Sequence, residues 1–139
     1  MGKIFYIMGK SASGKDTIYK ELIEKMPKFH SIVPYTTRPM REGEKDGVEY
    51  FFVDQERFDE MMDEEKIIEF RSYNTKCGIW TYFTADDGQV DLENADYLGI
   101  GTLESYVKMR EYYGKENVCP VYIEVEDGER LARALKRER

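Results

Sequence analysis

Cysteine is scarce in this chain. There are two in 139 residues, Cys77 and Cys119, at a spacing that suits neither a metal site nor a disulfide framework. They read as two free thiols of a cytoplasmic protein. Histidine is scarcer still, and the single one, His30, falls near an expected loop and is not expected to be catalytic. No apolar run approaches the roughly 20 residues that span a bilayer, so no membrane partner is expected. The opening MGKIFYIMGK holds a short apolar stretch but no small-residue cleavage site, and a secretory signal is not expected. Repeats and low-complexity segments are lacking too. So is an excess of positive charge: 21 Lys+Arg stand against 28 Asp+Glu, a net charge of −7. A grip on duplex nucleic acid needs a basic face that releases counterions, and this balance excludes one, leaving room only for a small basic pocket around one or two phosphates. The sequence is silent on oligomeric state.

What is present suits one compact, globular α/β domain, with 41% hydrophobic and 35% charged residues. Ile4 to Met8 is a continuous apolar run, the pattern of a strand buried on both faces. From Lys15 to Met26 the apolar residues Ile18, Leu22, Ile23 and Met26 mark one helix face, and Pro27 stops it. Strands are expected at Ile32 to Thr37, Tyr50 to Val53, Ile67 to Phe70, Ile79 to Phe83, Tyr97 to Ile100 and Val121 to Val125. Asp54 can cap a helix with Phe58, Met61 and Met62 inside, its acidic run from Asp59 to Glu65 lying on the solvated side. Thr102 can cap another that carries Leu103, Tyr106 and Val107 and ends at Gly114, and Asp127 can cap a last one. Alternating strands and helices at the two ends predict a parallel sheet flanked by helices. The strand-rich stretch between them predicts an inserted sub-domain.

The strongest local signal is Gly9-Lys10-Ser11-Ala12-Ser13-Gly14-Lys15-Asp16. It matches G-x-x-x-x-G-K between a buried strand and an amphipathic helix, the context a phosphate loop requires. Its glycines let backbone N–H groups converge on a phosphate, the helix N-terminus adds partial positive charge, and Lys15 can reach the terminal phosphates. The expected ligand is ATP with Mg2+, held by residues 9 to 16 and Thr17. The motif departs at Asp16, where a Ser or Thr hydroxyl ordinarily meets the metal. A carboxylate is also a hard oxygen ligand, so Asp16 is the candidate magnesium ligand, with a plain helix cap as its alternative.

Further on, TTRPMREGEKDGVEYFFV places Arg38 and Arg41 three apart, with Tyr50 beyond a glycine-bearing loop. Two guanidiniums and a phenol can hold a phosphate, although a surface arginine pair would look the same. With the phosphate loop before it and IIEF after it, this segment resembles the guanylate kinases, which move a phosphoryl group from ATP to GMP. The resemblance implies that Arg38, Arg41 and Tyr50 bind the GMP phosphate, that Lys15, Arg38 and Arg41 serve transfer, and that Glu69 reads guanine. One carboxylate can accept from guanine N1–H and N2–H together, whereas adenine presents an unprotonated N1.

The resemblance is strong from Ile4 to Phe70 and weaker beyond. Pro34 stands where the family has a serine that touches the base. The family's Tyr-Gly-Ser/Thr element is replaced by CGIWTYFT, in which Thr81, Tyr82 and Thr84 are the candidate acceptor residues. Gly99 and Gly101 stand where acids are expected, and Asp16 is a candidate replacement for the lost carboxylate. The final helix offers Arg133, Arg137 and Arg139 as lid arginines, Arg137 being the candidate ATP contact. The implied architecture is a P-loop NTPase-like α/β fold. Residues 1–31 and 96–139 would form the nucleotide core and the start of the lid, 32–84 the GMP-binding sub-domain and 85–95 a connection. A chain truncated at its C-terminus is expected. The expected function is phosphoryl transfer from ATP to GMP in the cytoplasm. The alternatives are a related kinase of another phosphorylated acceptor, such as a ribose bisphosphate, and a guanylate-kinase-like binding module that has lost its chemistry.

Overall fold

The computed structural model describes residues 2–9 and 14–123, with the side chain of Asp16 also outside its description. The chain divides into two compact units, residues 1–31 with 91–139, and residues 32–90. No helix among the described residues is long and apolar enough to cross a membrane.

Among the described residues the first unit is a parallel sheet of four strands with two helices against it. Its strands are β1 (Ile4–Gly9), β2 (Phe29–Ser31), β7 (Asp96–Gly101) and β8 (Val118–Ile123), in the order β2-β7-β1-β8. Central β1 pairs with β7 from Ile4↔Tyr97 to Met8↔Gly101 and with β8 from Ile4↔Val118 to Gly9↔Ile123. Its near-continuous apolar run is explained by that position: Ile4, Tyr6, Ile7 and Met8 are all buried. Helix α1 (Lys15–Lys25) packs on β1 and β7, and α3 (Leu103–Tyr113) on β1 and β8.

Two expectations for this unit need correction. His30 lies not in a loop but in β2, opposite Tyr97. The buried side of α3 is Ser105, Tyr106 and Met109, whereas Leu103 is exposed. A capping box sets that face: the Thr102 hydroxyl accepts from Ser105 N–H at 3.2 Å, and the Ser105 hydroxyl accepts from Thr102 N–H at 2.9 Å. Ser105 is thereby turned inward, where its oxygen meets the Tyr6 hydroxyl at 2.8 Å.

The second unit is a mixed sheet in the order β4-β3-β6-β5, formed by β3 (Tyr35–Thr36), β4 (Phe51–Phe52), β5 (Ile67–Thr75) and β6 (Gly78–Ala85). Strand β3 runs parallel to β4, and the β3–β6 and β5–β6 pairs are antiparallel. Helix α2 (Gln55–Asp63) starts at Asp54, whose carboxylate accepts from Arg57 N–H at 2.8 Å. Phe58 and Met61 of α2 form the core with Phe83 and Ala85, whereas Met62 is exposed against expectation. The residues preceding Gly78 that complicate comparison with the family form a long β5–β6 hairpin, paired out to Thr75↔Gly78.

Candidate functional site

The first unit sets a helix start behind the end of a buried strand. Gly14 takes a left-handed conformation (φ 88°, ψ 9°) at the N-cap of α1, which a glycine adopts without steric cost. Lys15, in the first turn, donates from Nζ to the carbonyls of Gly9 at 3.3 Å and Gly101 at 3.5 Å. Its ammonium therefore lies at the C-terminal ends of β1 and β7, where ligands of parallel α/β sheets bind. Thr17 is exposed. Lys10, Ser11, Ala12, Ser13, the Asp16 carboxylate, Arg133, Arg137 and Arg139 lie outside the described residues.

Of the two glycines that stand where acids are expected, Gly101 has no room for a side chain unless Tyr6 or Ser105 moves. A Cβ on Gly101 would stand 2.2 Å from the Tyr6 hydroxyl and 2.4 Å from Ser105 Oγ. Among the described residues no group of three or more His, Cys, Asp and Glu side chains is placed to hold a metal ion. A magnesium ion that arrives with ATP takes most of its ligands from phosphates and water, and its candidate protein ligand, Asp16, lies outside the described residues.

In the second unit, strand alternation divides the side chains between two faces. Tyr35, Phe83 and Phe70 lie on the face that meets α2, with Phe58 5.0 Å from Phe83 and 5.6 Å from Phe70 between ring centroids. The opposite face carries Thr36, Tyr82, Arg71, Glu69 and Thr84, as the pairings Thr36↔Tyr82, Arg71↔Tyr82 and Glu69↔Thr84 require. A bulge between Ile67 and Glu69 makes this possible. Strict alternation would put Ile67 and Glu69 on one face. The extra residue lets Ile67 pack on the core while Glu69 turns the other way.

Arg38 is the anchor of this face. Its side chain is only 4% exposed. Nη1 and Nη2 donate to the two carboxylate oxygens of Glu44 at 2.9 Å each, and Nη1 also reaches the carbonyl of Pro39. The guanidinium sits 5.3 Å from the Tyr50 ring and 5.7 Å from Phe52. Tyr82 stacks obliquely beside Tyr50 at 5.7 Å. Buried Nε has no hydrogen-bond partner among the described residues. The hydrogen bonds from Arg38 hold the Glu44 carboxyl down at about 2, against an ordinary 4.5, with burial opposing the shift and Arg41 N–H aiding it. The same pair holds Arg38 in its charged form against the cost of burial. Arg41 is exposed, and its backbone N–H donates to Glu44 at 2.7 Å.

Glu69 is buried rather than a solvated acid at a strand edge. The Thr84 hydroxyl donates to Oε1 at 2.8 Å, and Arg71 reaches Oε2 from Nε at 3.2 Å and Oε1 from Nη2 at 3.4 Å. Thr81 does not join this group. It lies on the opposite face from Glu69, its hydroxyl 2.9 Å from that of Ser72. Pro34 offers only its carbonyl, which accepts from Phe51 N–H. The structure thus brings Arg38, Tyr50 and Tyr82 together and places Glu69 on the face that bears Tyr82. Two contributors are invisible to a reading by motif. Glu44 announces itself only as an acid three residues after Arg41, and Arg71 only by sharing strand parity with Glu69.

The sequence G-x-x-x-x-G-K between a buried parallel strand and its helix, in a sheet flanked by helices, marks the P-loop NTPase-like class. The family model described as guanylate kinase matches residues 1–79. Over 68 residues the chain is 44% identical to the guanylate kinase of Legionella pneumophila, a stretch covering 49% of this chain and 32% of that protein. Over 70 residues it is 40% identical to the guanylate kinase of Mycobacterium tuberculosis, covering 50% of this chain and 34% of the other. The crystal structure of guanylate kinase from Anaplasma phagocytophilum superposes with a TM-score of 0.76 at 27% identity, covering 97% of this chain and 67% of that one. The chain belongs to the guanylate kinase family. Its matched stretch spans about a third of the length of these curated relatives.

Proposed function

We propose that this chain transfers the γ-phosphoryl group of ATP to the phosphate of GMP, giving ADP and GDP. The observation that carries the reading is Arg38: a buried guanidinium, locked by Glu44 and flanked by Tyr50 and Tyr82, with Nε unpartnered among the described residues. An unpartnered buried donor costs about 1–3 kcal/mol, which an arriving phosphate oxygen removes. Arg38, Arg41 and Tyr50 are assigned to the acceptor phosphate, Glu69 to guanine, with Tyr82 closing the aromatic side. Lys15 is assigned, with Gly9, Gly14 and the rest of the loop, to the phosphates of ATP.

The chemistry needs no nucleophilic side chain. A phosphate oxygen of GMP attacks the γ-phosphorus in line, the bond to the β,γ-bridging oxygen breaks, and ADP leaves with that electron pair. Lys15 and the arginines stabilise the charge spread over the transferring group. Magnesium arriving with ATP would neutralise further charge. The test is ADP release with GMP, AMP and a ribose bisphosphate as acceptors. Turnover with GMP above the other two is expected, abolished in Lys15→Ala and Arg38→Ala. Turnover with the sugar phosphate alone, or GMP binding without turnover, would overturn the assignment.

A further inference from the structure

Glu69 is already engaged on the edge that guanine would use. Guanine N1–H and N2–H form a fork that needs one acceptor site on each carboxylate oxygen. Arg71 presents the same kind of fork, Nε to Oε2 at 3.2 Å and Nη2 to Oε1 at 3.4 Å. Thr84 takes the remaining site on Oε1 at 2.8 Å. One carboxylate edge cannot hold two forks, so guanine and the Arg71 contact exclude one another.

The two arginine–glutamate pairs of this unit differ in a way that says which one yields. Arg38 and Glu44 meet at 2.9 Å on both arms, with the Arg38 side chain 4% exposed. Charge-assisted N–H···O bonds are best at about 2.7–2.9 Å. The Arg71 contacts are longer, and its side chain is 20% exposed while that of Glu69 is 2% exposed. Longer contacts and greater exposure make the Arg71 pair the weaker of the two. Thr84 stays behind and keeps Glu69 oriented.

We propose that Arg71 is a displaceable counter-ion of Glu69 that guanine expels on binding, a latch that weakens guanine affinity and speeds nucleotide release. The proposal rests on the reading of Glu69 as the guanine contact. Arg71 neutralises a buried carboxylate while the site is empty, which removes the penalty of an unpaired buried charge. Part of the binding free energy of guanine then goes into breaking that pair. A base without the two adjacent donors leaves Arg71 in place.

The experiment is calorimetric titration of the whole chain with GMP and with AMP. The proteins compared are wild type, Arg71→Ala, Arg71→Gln, Glu69→Gln and the Glu69→Gln/Arg71→Ala double variant. Arg71→Ala is expected to tighten GMP binding roughly five- to tenfold and leave AMP unchanged. Arg71→Gln, whose amide still supports Glu69, should act in the same direction with a smaller effect. In the Glu69→Gln background, Arg71→Ala should change nothing, because the arginine acts through that carboxylate. Wild type that binds GMP while Arg71→Ala and Arg71→Gln bind it equally or more weakly would overturn the latch and leave the function standing. So would equal tightening for GMP and AMP. Failure of wild type and every variant to bind GMP would overturn the function and the latch together.

Discussion

Replacing Glu44 with glutamine tests how the acceptor face is built. The carboxylate accepts from Arg38 Nη1 and Nη2 at 2.9 Å and from Arg41 N–H at 2.7 Å. Glutamine keeps one oxygen and replaces the other with an amide that cannot accept from a guanidinium. At least one charge-assisted bond to Arg38 is lost, at about 1.5–3 kcal/mol, and the survivor weakens because only its donor remains charged, a loss of about 1 kcal/mol more. Glu44 is itself 17% exposed, so water recovers part of this. The net cost at neutral pH is about 2–3 kcal/mol, short of the roughly 3–5 kcal/mol for stripping a fully buried pair. The cost has a pH signature. The folded state holds the Glu44 carboxyl at about 2 against an ordinary 4.5. A depressed carboxyl stabilises the fold above its unfolded value, and that contribution fades as pH falls through the interval between the two. Urea unfolding of wild type and Glu44→Gln from pH 7 down to pH 2.5 should therefore show a gap that is widest at pH 7 and narrows below pH 4.5. A gap under 0.5 kcal/mol at pH 7, or one of constant size across the series, would refute the account of how Arg38 is held.

Two further perturbations probe the first unit. Gly101→Ala forces a methyl against Tyr6 Oη and Ser105 Oγ, and should cost about 2–4 kcal/mol as overpacking plus a lost hydrogen bond. Denaturant unfolding should show that cost shrinking in a Tyr6→Phe/Ser105→Ala background, and an unchanged cost there would mean the collision is not the cause. The Tyr19 hydroxyl, which donates to the Leu98 carbonyl at 2.9 Å, is pushed up to about 12 by burial, with its hydrogen bond to Ser31 opposing the shift. A raised value in the fold means a contribution complete below pH 10 and lost as pH climbs toward 12. Wild type should lose stability faster than Tyr19→Phe across that window by circular dichroism, and parallel curves would rule this out.

Features that depend on a few adjacent residues were legible from the chain alone. Asp54, Thr102 and Gly114 each stand at the helix end their chemistry suits, because a cap is a pattern of only a few residues. The buried strand β1 and the Gly14–Lys15 helix start are equally local. What escaped depends on pairing. Phe29, His30 and Ser31 show no apolar alternation, because β2 is an edge strand whose existence rests on its pairing with β7. The environment of Glu69 depends on a bulge and on the β5–β6 register, which bring Thr84 from fifteen residues away. A motif marked Glu69 as a contact but could not show what it touches. The Glu44 pairing hides in a charged loop, where a turn closed by Glu44 N–H on the Arg41 carbonyl and by Arg41 N–H on the Glu44 carboxylate points that carboxylate at Arg38.

A net charge of −7 poses a problem for a protein proposed to hold two anionic nucleotides, and the second unit answers it by direction rather than by charge. Both of its buried-face arginines are already neutralised, Arg38 by Glu44 and Arg71 by Glu69. A neutralised pair has little reach through water, where attraction between unit charges at 4 Å is only about 1 kcal/mol. At contact the two pairs behave differently. Glu44 does not use the Nε of Arg38, so on the proposed reading a phosphate oxygen bonded there leaves the Glu44 contacts in place. On the proposed reading, guanine reaches Glu69 only by breaking the Arg71 pair. On the proposed reading, the phosphate end therefore supplies most of the affinity, while the base end supplies the choice among bases at a cost in affinity. That division lets an acidic surface discriminate a small anion without the basic field that would also attract nucleic acid.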